Sequence, residues 1–397
     1  MRILISGAGI AGPALAYWLL RCGMTPTIVE MAPRLRTGGY IIDFWGAGYE
    51  VAGRMGLLSE IEQAGYRVKR IRVVGKDSGR VVEFSAHSFA RITQGRFTSI
   101  PRGDLAATIF RSIEGKAETI FGDTIAAIEQ DARGVRVKFR SGVEREFDLV
   151  VGADGLHSRV RQLVFGEERQ FEKYLGIKAA AFQARGYQRR DELVYVMFTE
   201  VGQQVVRFAM RGDRTVFFIT FLDEAGVVPE SLEGQKAELR QKFGKSGGEG
   251  ERMLEALDRC EELYFDRVSQ IRMNADGAGG GAWSRGRVAL AGDAASCVSL
   301  LAGQGSALAM VAAYILAGEL KTAAGNYPEA FRKYEERFGP FVAGKQKAAL
   351  RFAGWFAPKS RAALFARNQL FRLLNVPWIA DWSVRGDFAD RIELPEY

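Results

Sequence analysis

Short apolar runs, each closed by a glycine or a polar turn, dominate the first half of the chain. Ile3, Leu4 and Ile5 form a buried run within residues 2–6, which predicts a strand. Residues 13–21 read as a helix, with Pro13 in an early turn where a missing N–H costs little. Residues 27–29 form the next strand and Glu30 ends it, which completes a βαβ unit of about 30 residues. Period-2 alternation then predicts strands over 68–74, 80–84 and 96–100. Residues 103–112 are helical, with Leu105, Ile109 and Ile113 on one face. Strands are expected over 119–130, 135–140, 144–147 and 148–151.

The next stretch, 176–222, is strongly β. Residues 192–199, 203–210 and 215–221 read as three antiparallel strands joined by Gly202 and by Gly212-Asp213. Residues 229–264 look helical, with a break in the glycine-rich 243–250 stretch. Gly277–Gly281 is a loop, 286–291 a strand and 306–320 a helix, and the chain beyond Tyr327 reads as helical up to Pro377. The order predicts an α/β fold: a discontinuous Rossmann-like dinucleotide-binding domain, an inserted antiparallel β-sheet substrate domain and a helical C-terminus. The expected division assigns 1–70, 98–170 and 280–340 to the first domain, 71–97 and 171–279 to the second, and 341–397 to the C-terminal helices.

Three motifs carry the chemistry. Gly7-Ala8-Gly9-Ile10-Ala11-Gly12 follows a strand and opens a helix, the context in which this glycine pattern binds a dinucleotide. Gly7 permits the tight turn, Gly9 leaves room for a pyrophosphate, and Gly12 lets helix and strand approach. The helix N-terminus supplies N–H donors, and Glu30 stands where a ribose diol would lie. The second motif runs from Asp148 through Gly152-Ala153-Asp154-Gly155 to Arg161; Asp154 is either a ligand contact or a helix cap. The third is Gly286 to Ala295 followed by Gly303-Gln304-Gly305. There the Asp293 carboxylate suits polyol hydroxyls, and Gly303 and Gly305 expose N–H groups at a helix start.

Composition narrows the chemistry. Only two histidines exist, His87 and His157, so a serine–histidine triad or a histidine-rich metal site is hard to build. We read both as structural. Cys22, Cys260 and Cys297 stand far apart in no metal spacing, as free thiols in a reducing, cytoplasmic compartment. Redox chemistry would therefore rest on an organic cofactor. A net charge of +8 favours anionic small molecules. No basic tail points to nucleic acid, and no apolar run reaches a membrane span.

Taken together, the three motifs resemble the flavin-binding signatures of the FAD-dependent aromatic hydroxylases. Within that family the chain is most similar to the single-component monooxygenases that include the tetracycline-inactivating enzymes. Residues 38–43, Gly-Gly-Tyr-Ile-Ile-Asp, look like the loop that runs along the flavin there, and 101–105, Pro-Arg-Gly-Asp-Leu, like the element whose arginine contacts it. The resemblance implies non-covalent FAD, with Arg36, Asp43, Arg102 and Asp293 at the cofactor and Arg36 meeting NADPH or NADH. It also implies reduction of FAD, addition of dioxygen as a flavin hydroperoxide, and hydroxylation of a small, aromatic or polycyclic substrate. Three positions depart from the family pattern: Ser296 where histidine or tyrosine is usual, Leu300 where proline is usual, and Ala307 where asparagine is usual.

Two other readings stay open. One is a reductase or dehydrogenase of the same fold that does not activate oxygen. The other is a flavoprotein that only sequesters a ligand. A Trp-x-Trp-x-Ile-Pro element is absent, which argues against a halogenase. Aromatic residues Tyr195, Phe198, Phe208, Phe217 and Phe221 are expected to be mostly core, with one or two lining a pocket. The aromatic-rich segment 341–397 either packs on the flavin domain or also bridges the domains and walls the substrate site.

Overall fold

The structure, a computed structural model, describes all residues except 37, 87–90, 92, 274–282 and 374–391. His87, the loop at 277–281, and Pro377, Trp378 and Trp382 lie outside the described residues.

The first layer is a six-stranded sheet in the order β17-β18-β11-β1-β2-β7. Its strands are β1 (Arg2–Ser6), β2 (Thr25–Glu30), β7 (Glu118–Phe121), β11 (Leu149–Gly152), β17 (Ser284–Arg285) and β18 (Val288–Leu290). All neighbours pair in parallel except β17 with β18. Parallel strands are buried on both faces, which is why these segments read as unbroken apolar runs. Helix α1 (Ala11–Arg21) crosses over between β1 and β2.

The expected strand over 119–130 is two strands. Gly122 takes a positive φ of 76°. Asp123 then accepts from the Thr124 and Ser141 N–H groups and from the Ser141 hydroxyl, which fixes a turn. Beyond it, β8 (Ile125–Gln130) pairs with β9 (Val135–Phe139), which pairs with β10 (Glu144–Phe147). A two-stranded piece, β3 (Ile41–Trp45) with β6 (Phe97–Pro101), borders helices α2 (Ala47–Arg54), α3 (Leu58–Ala64) and α4 (Arg102–Arg111). Sequence periodicity missed β3, α2 and α3.

The inserted layer is a seven-stranded sheet ordered β16-β12-β15-β14-β13-β4-β5. It contains β4 (Arg70–Val74), β5 (Arg80–Ser85), β12 (Glu172–Arg185), β13 (Val194–Glu200), β14 (Gln203–Met210), β15 (Arg214–Leu222) and β16 (Tyr264–Ile271). Two of its strands correct the sequence reading. Residues 172–185 form one long strand, and the helical reading up to 264 runs too far: the helix ends at Asp258, and 264–271, for which the sequence pattern predicts no element of its own, is a strand that completes the β12 ladder. Helices α6 (Leu232–Phe243) and α7 (Glu249–Asp258) cover this sheet, broken where the glycines predicted. Phe198, Phe217 and Phe221 share their core with Leu239, Phe243 and Met253. Burying each phenylalanine contributes roughly 1.5–3 kcal/mol.

Short helices α5 (Arg159–Val164) and α8 (Asp293–Ser296) follow β11 and β18, and α9 (Gly305–Thr322) runs through the core. The long α10 (Tyr327–Phe356) buries Ala330, Phe331, Tyr334, Phe338 and Val342 against the first layer. Its end reaches the inserted sheet: Thr220 Oγ1 donates to the Phe356 carbonyl at 3.1 Å and the Gly202 N–H to the Pro358 carbonyl at 2.8 Å. Helix α11 (Arg361–Leu373) then lies on β5, with Phe371 against Phe84. The C-terminal residues return to the first layer, where Tyr397 packs over Gly318 and donates to Glu319. The described parts of the C-terminal segment therefore touch both layers, which is the first half of the bridging-and-wall reading.

Candidate active site

A cleft of about 1950 Å³ separates the two layers, and all three motifs open onto it. At the β1–α1 turn the glycines do different jobs. Gly7 has φ 105°, and a Cβ there would stand 2.6 Å from the Ala153 carbonyl oxygen of the second motif. A Cβ on Gly12 would overlap the Gly7 carbonyl oxygen. Gly9 is different, because a Cβ there meets only the Arg102 guanidinium at 3.7 Å. Gly7 and Gly12 are thus set by the fold, whereas Gly9 keeps space free in the cleft. No side chain caps α1, and Gly9, Ile10 and Ala11 line the cleft with the helix's unsatisfied first-turn N–H groups.

Glu30 ends β2 beside this turn. One carboxylate oxygen accepts from the Ala8 N–H at 2.8 Å and the other from Ala32 at 2.9 Å. Each oxygen keeps a further lone pair for a ligand. Arg34 and Arg36 are exposed on the rim and make no hydrogen bond or ion pair among the described residues. Tyr40 follows, packed on Phe218 and Tyr264, and burial pushes its hydroxyl up to about 12. Its carbonyl accepts from the Arg102 N–H at 3.0 Å, which ties this loop to the start of α4.

Strand alternation separates Ile42 from Asp43. Ile42 lines the cleft, and Asp43 does not. The Asp43 carboxylate instead accepts from Ser99 Oγ at 2.5 Å and from the Tyr195 hydroxyl at 3.2 Å, with burial raising its pKa. It joins β3 and β6 to the inserted sheet. The expectation that Asp43 touches the cofactor does not match this placement.

Asp154 lines the cleft, but its oxygens are committed to α5. They accept from Ser158 Oγ at 2.5 Å and from the Arg159 and Val160 N–H groups at 2.9 and 3.1 Å. This is capping geometry. His157 lies between Glu168, at 2.9 Å, and Asp266 of β16, at 3.0 Å; these carboxylates push its pKa up to about 10. It clamps the second motif to the inserted sheet. Fully buried Arg161 donates to the Leu156 carbonyl at 2.6 Å and the Ala294 carbonyl at 3.0 Å, and so joins the second motif to the third.

Asp293 opens α8 within the cleft. Burial raises its carboxyl pKa, opposed by the charge of Arg102 and the Cys297 thiol. The Arg102 side chain makes no hydrogen bond or ion pair among the described residues, which leaves its guanidinium available between Gly9 and Asp293. Gly303 takes the left-handed conformation and Gly305 starts α9 facing the Asp293 carboxylate. Of the three departures from the family pattern, only Leu300 lines the cleft. Ala307 is small because Gly48 of α2 packs directly against it.

The inserted layer supplies the opposite wall. Phe182, Tyr187, Arg185, Arg189, Arg214 and Arg259 line it, with Tyr264 and Asp266 of β16. Sequence reasoning missed Phe182, Arg185, Tyr187 and Arg189 because strand β12 and its following loop were not resolved as an element, and Tyr264 and Asp266 because β16 was not. Of the aromatic stripe, Phe198, Phe208, Phe217 and Phe221 are core, each at most 1% exposed. No described residue beyond Ala309 lines the cleft, so among the described residues the C-terminal segment contributes nothing to this wall.

The comparisons with known proteins agree with this architecture. An uncharacterized protein of Mycobacterium tuberculosis is 38% identical over 349 residues, 87% of this chain and 91% of that one. A flavin-dependent monooxygenase from an unknown prokaryotic organism is 34% identical over 403 residues, covering 100% of this chain and 99% of its own. The crystal structure of tetracycline destructase Tet(51) superposes with a TM-score of 0.81 at 31% identity, over 100% of this chain and 99% of that chain. The FAD-binding domain family matches residues 1–343, and with full-length similarity to flavin-dependent monooxygenases, the chain belongs to that family of flavin-dependent oxidoreductases.

Proposed function

We propose that the protein is an FAD-dependent monooxygenase that takes electrons from NADPH or NADH and hydroxylates a small, planar aromatic or polycyclic substrate with dioxygen. The observation that carries this reading is the convergence of three glycine turns, separated by more than a hundred residues, on one cleft between two layers. The residues suit FAD. Gly9 keeps the turn open, and the first-turn N–H groups of α1 at Ile10 and Ala11 suit the pyrophosphate. Glu30 offers lone pairs to the ribose, Asp293 to the ribityl chain, and the backbone at Gly303 and Gly305 to the ring. Arg102 lies free between these groups, and Arg36 on the rim suits the nicotinamide cofactor. Asp154 acts by holding the turn, and Asp43 by positioning β3. We keep the domain division drawn from the sequence.

When bound, FAD supplies the electron transfer and oxygen chemistry. The chain's part is placement and exclusion of water. Tyr40, Phe182 and Leu300 offer apolar surface to a planar ring, and the facing layer closes the cleft from the other side. Tyr40 keeps its proton through neutral pH, so it can donate a hydrogen bond to substrate or cofactor.

The test is NADPH and NADH oxidation by the FAD-loaded protein in air, with simple phenols and a tetracycline as trial substrates and labelled dioxygen. The expected result is substrate-stimulated oxidation with one labelled oxygen atom in the product. Reduction without label would instead identify a reductase, and tight binding without turnover a sequestering protein.

A further inference from the structure

The cleft contains a stretch of strand edge that the fold leaves unpaired. Strand β12 is flanked by β15 over 177–185, but by β16 only as far as Ala181, which faces Tyr264. The sheet narrows there because the chain before Tyr264 turns away from it: Cys260 and Leu263 join the core under α6 and α7. Among the described residues no strand lies beside 182–185 on that side, and these residues line the cleft.

Register decides which groups point there. The Gly186 N–H donates to the Asp213 carbonyl at 3.3 Å, one step past the Arg185–Arg214 pair. Phe182 and Ala184, in phase with Gly186, therefore bond to β15. Alternation turns the N–H and C=O of Gln183 and Arg185 outward, and these backbone groups have no partner among the described residues. Gln183 is half-buried in the cleft, and Arg185 is exposed. Free edges are usually covered, charged or kept short, because they invite pairing. This one opens into a ligand cleft.

We infer that the edge holds the nicotinamide ring of NADPH or NADH, by its carboxamide, on the backbone of Gln183. The inference rests on the monooxygenase reading, which requires a nicotinamide ring in this cleft. A primary carboxamide carries an acceptor oxygen and donor N–H groups side by side, the complement of an outward N–H and C=O. Its oxygen accepts from the Gln183 N–H and its NH2 donates to the Gln183 carbonyl, as an added strand would do. Arg185 and Arg189 follow along the same edge, and their side chains make no hydrogen bond or ion pair among the described residues. They suit the phosphates of the dinucleotide. Held by backbone in this way, the nicotinamide needs no second glycine-rich turn.

The experiment uses the FAD-loaded full chain and the tetrahydro forms of NADPH and NADH, which keep the carboxamide but cannot deliver hydride. Amide hydrogen exchange is read residue by residue by NMR. The Gln183 amide should exchange freely in the protein alone and about tenfold or more slowly with one of the analogues. The Phe182 and Ala184 amides, already bonded to β15, should change little. Slowing spread evenly over 182–185 would report general tightening and overturn the inference, as would protection elsewhere in the cleft or none at all. Two variants isolate the N–H. Gln183→Pro removes it at an edge position where proline is tolerated, and Gln183→Ala loses the same side chain but keeps it. By calorimetry the proline variant should bind the analogue about tenfold more weakly than the alanine variant, at equal FAD content. Equal binding would overturn the inference, and should the proline variant not fold, exchange in the wild type decides. Flavin reduction by NADPH or NADH separates the two claims. Reduction without protection of Gln183 defeats this inference and leaves the monooxygenase reading standing, whereas no reduction by either cofactor defeats both.

Discussion

On the wall of the cleft formed by the first layer, position is set by backbone and small residues. Gly7 packs on Ala153, Gly12 on Gly7, and Gly292 on Ala11, so three distant turns meet at van der Waals distance. On the facing wall, position is set by side-chain charge. Arg207, 4% exposed, donates to Glu249 at 2.9 Å, to Asp191 at 2.7 Å and to the Arg189 carbonyl at 2.8 Å, which holds the loop bearing Arg185 and Arg189. Tyr187 donates to the same Glu249 at 3.0 Å. A backbone-defined wall has few tolerable sequences, whereas a charge-defined wall can be rebuilt with different residues. The contrast matches a shared cofactor on one side and a variable substrate on the other.

The largest expected effect lies on the backbone-defined wall. Gly12→Val places its Cβ 2.0 Å from the Gly7 carbonyl oxygen, and relief requires α1 to leave β1. Destabilisation should exceed about 4 kcal/mol, read as loss of the folded fraction in urea. On the charged wall, Arg207→Met removes the closest cation from buried Glu249, leaving it the Tyr187 hydroxyl and Arg252 at 3.6 Å, and should cost about 3 kcal/mol. Replacing Glu249 by Met as well should recover much of that loss in the same urea transition. Little recovery would mean that the pair is not the anchor of that wall.

Smaller effects sharpen the comparison at the cofactor. Asp293→Ala removes a charged acceptor and should weaken FAD by about 1.5–3 kcal/mol, measured by flavin fluorescence on titration. Unchanged affinity would reduce Asp293 to a turn former. The mildest effect concerns the His157 clamp between the walls. Its folded pKa, about 10, lies above the ordinary value of 6.5. Its stabilising contribution is therefore complete below about pH 6.5 and is lost as pH rises through about 10. The protein should lose melting temperature over that window more steeply than His157→Gln. Parallel slopes would show that the clamp contributes nothing, and half-exposure keeps the effect small.

The same contrast explains what the sequence made legible. The glycine turn, Glu30, the strand–turn positions of Asp154 and Asp293, and the core placement of Phe217 and Phe221 follow from local pattern, because backbone geometry restricts residue type. Capping by Asp154 was legible as one of two readings, since a carboxylate four residues before Ser158 serves either purpose. The end of α7 was placed too late because Leu257, Cys260 and Leu263 continue a helical spacing past Asp258, and strand β16 was missed because only pairing with β12 reveals it. The orientation of Asp43 depends on the register of β3 against β6, a long-range fact. The arginines of the facing wall carry no local signal, because a surface arginine and a cleft arginine read alike.

The account rests on FAD occupying the space that Gly9 leaves open. The direct measurement compares flavin content and melting temperature of the wild-type protein with those of Gly9→Leu. A Cβ at Gly9 meets no backbone and points into the cleft, so the variant should fold with a melting temperature close to that of the FAD-free wild type. The wild type should carry one non-covalent FAD per chain and the variant none, even with excess FAD. A folded Gly9→Leu protein that binds FAD as the wild type does would contradict the account.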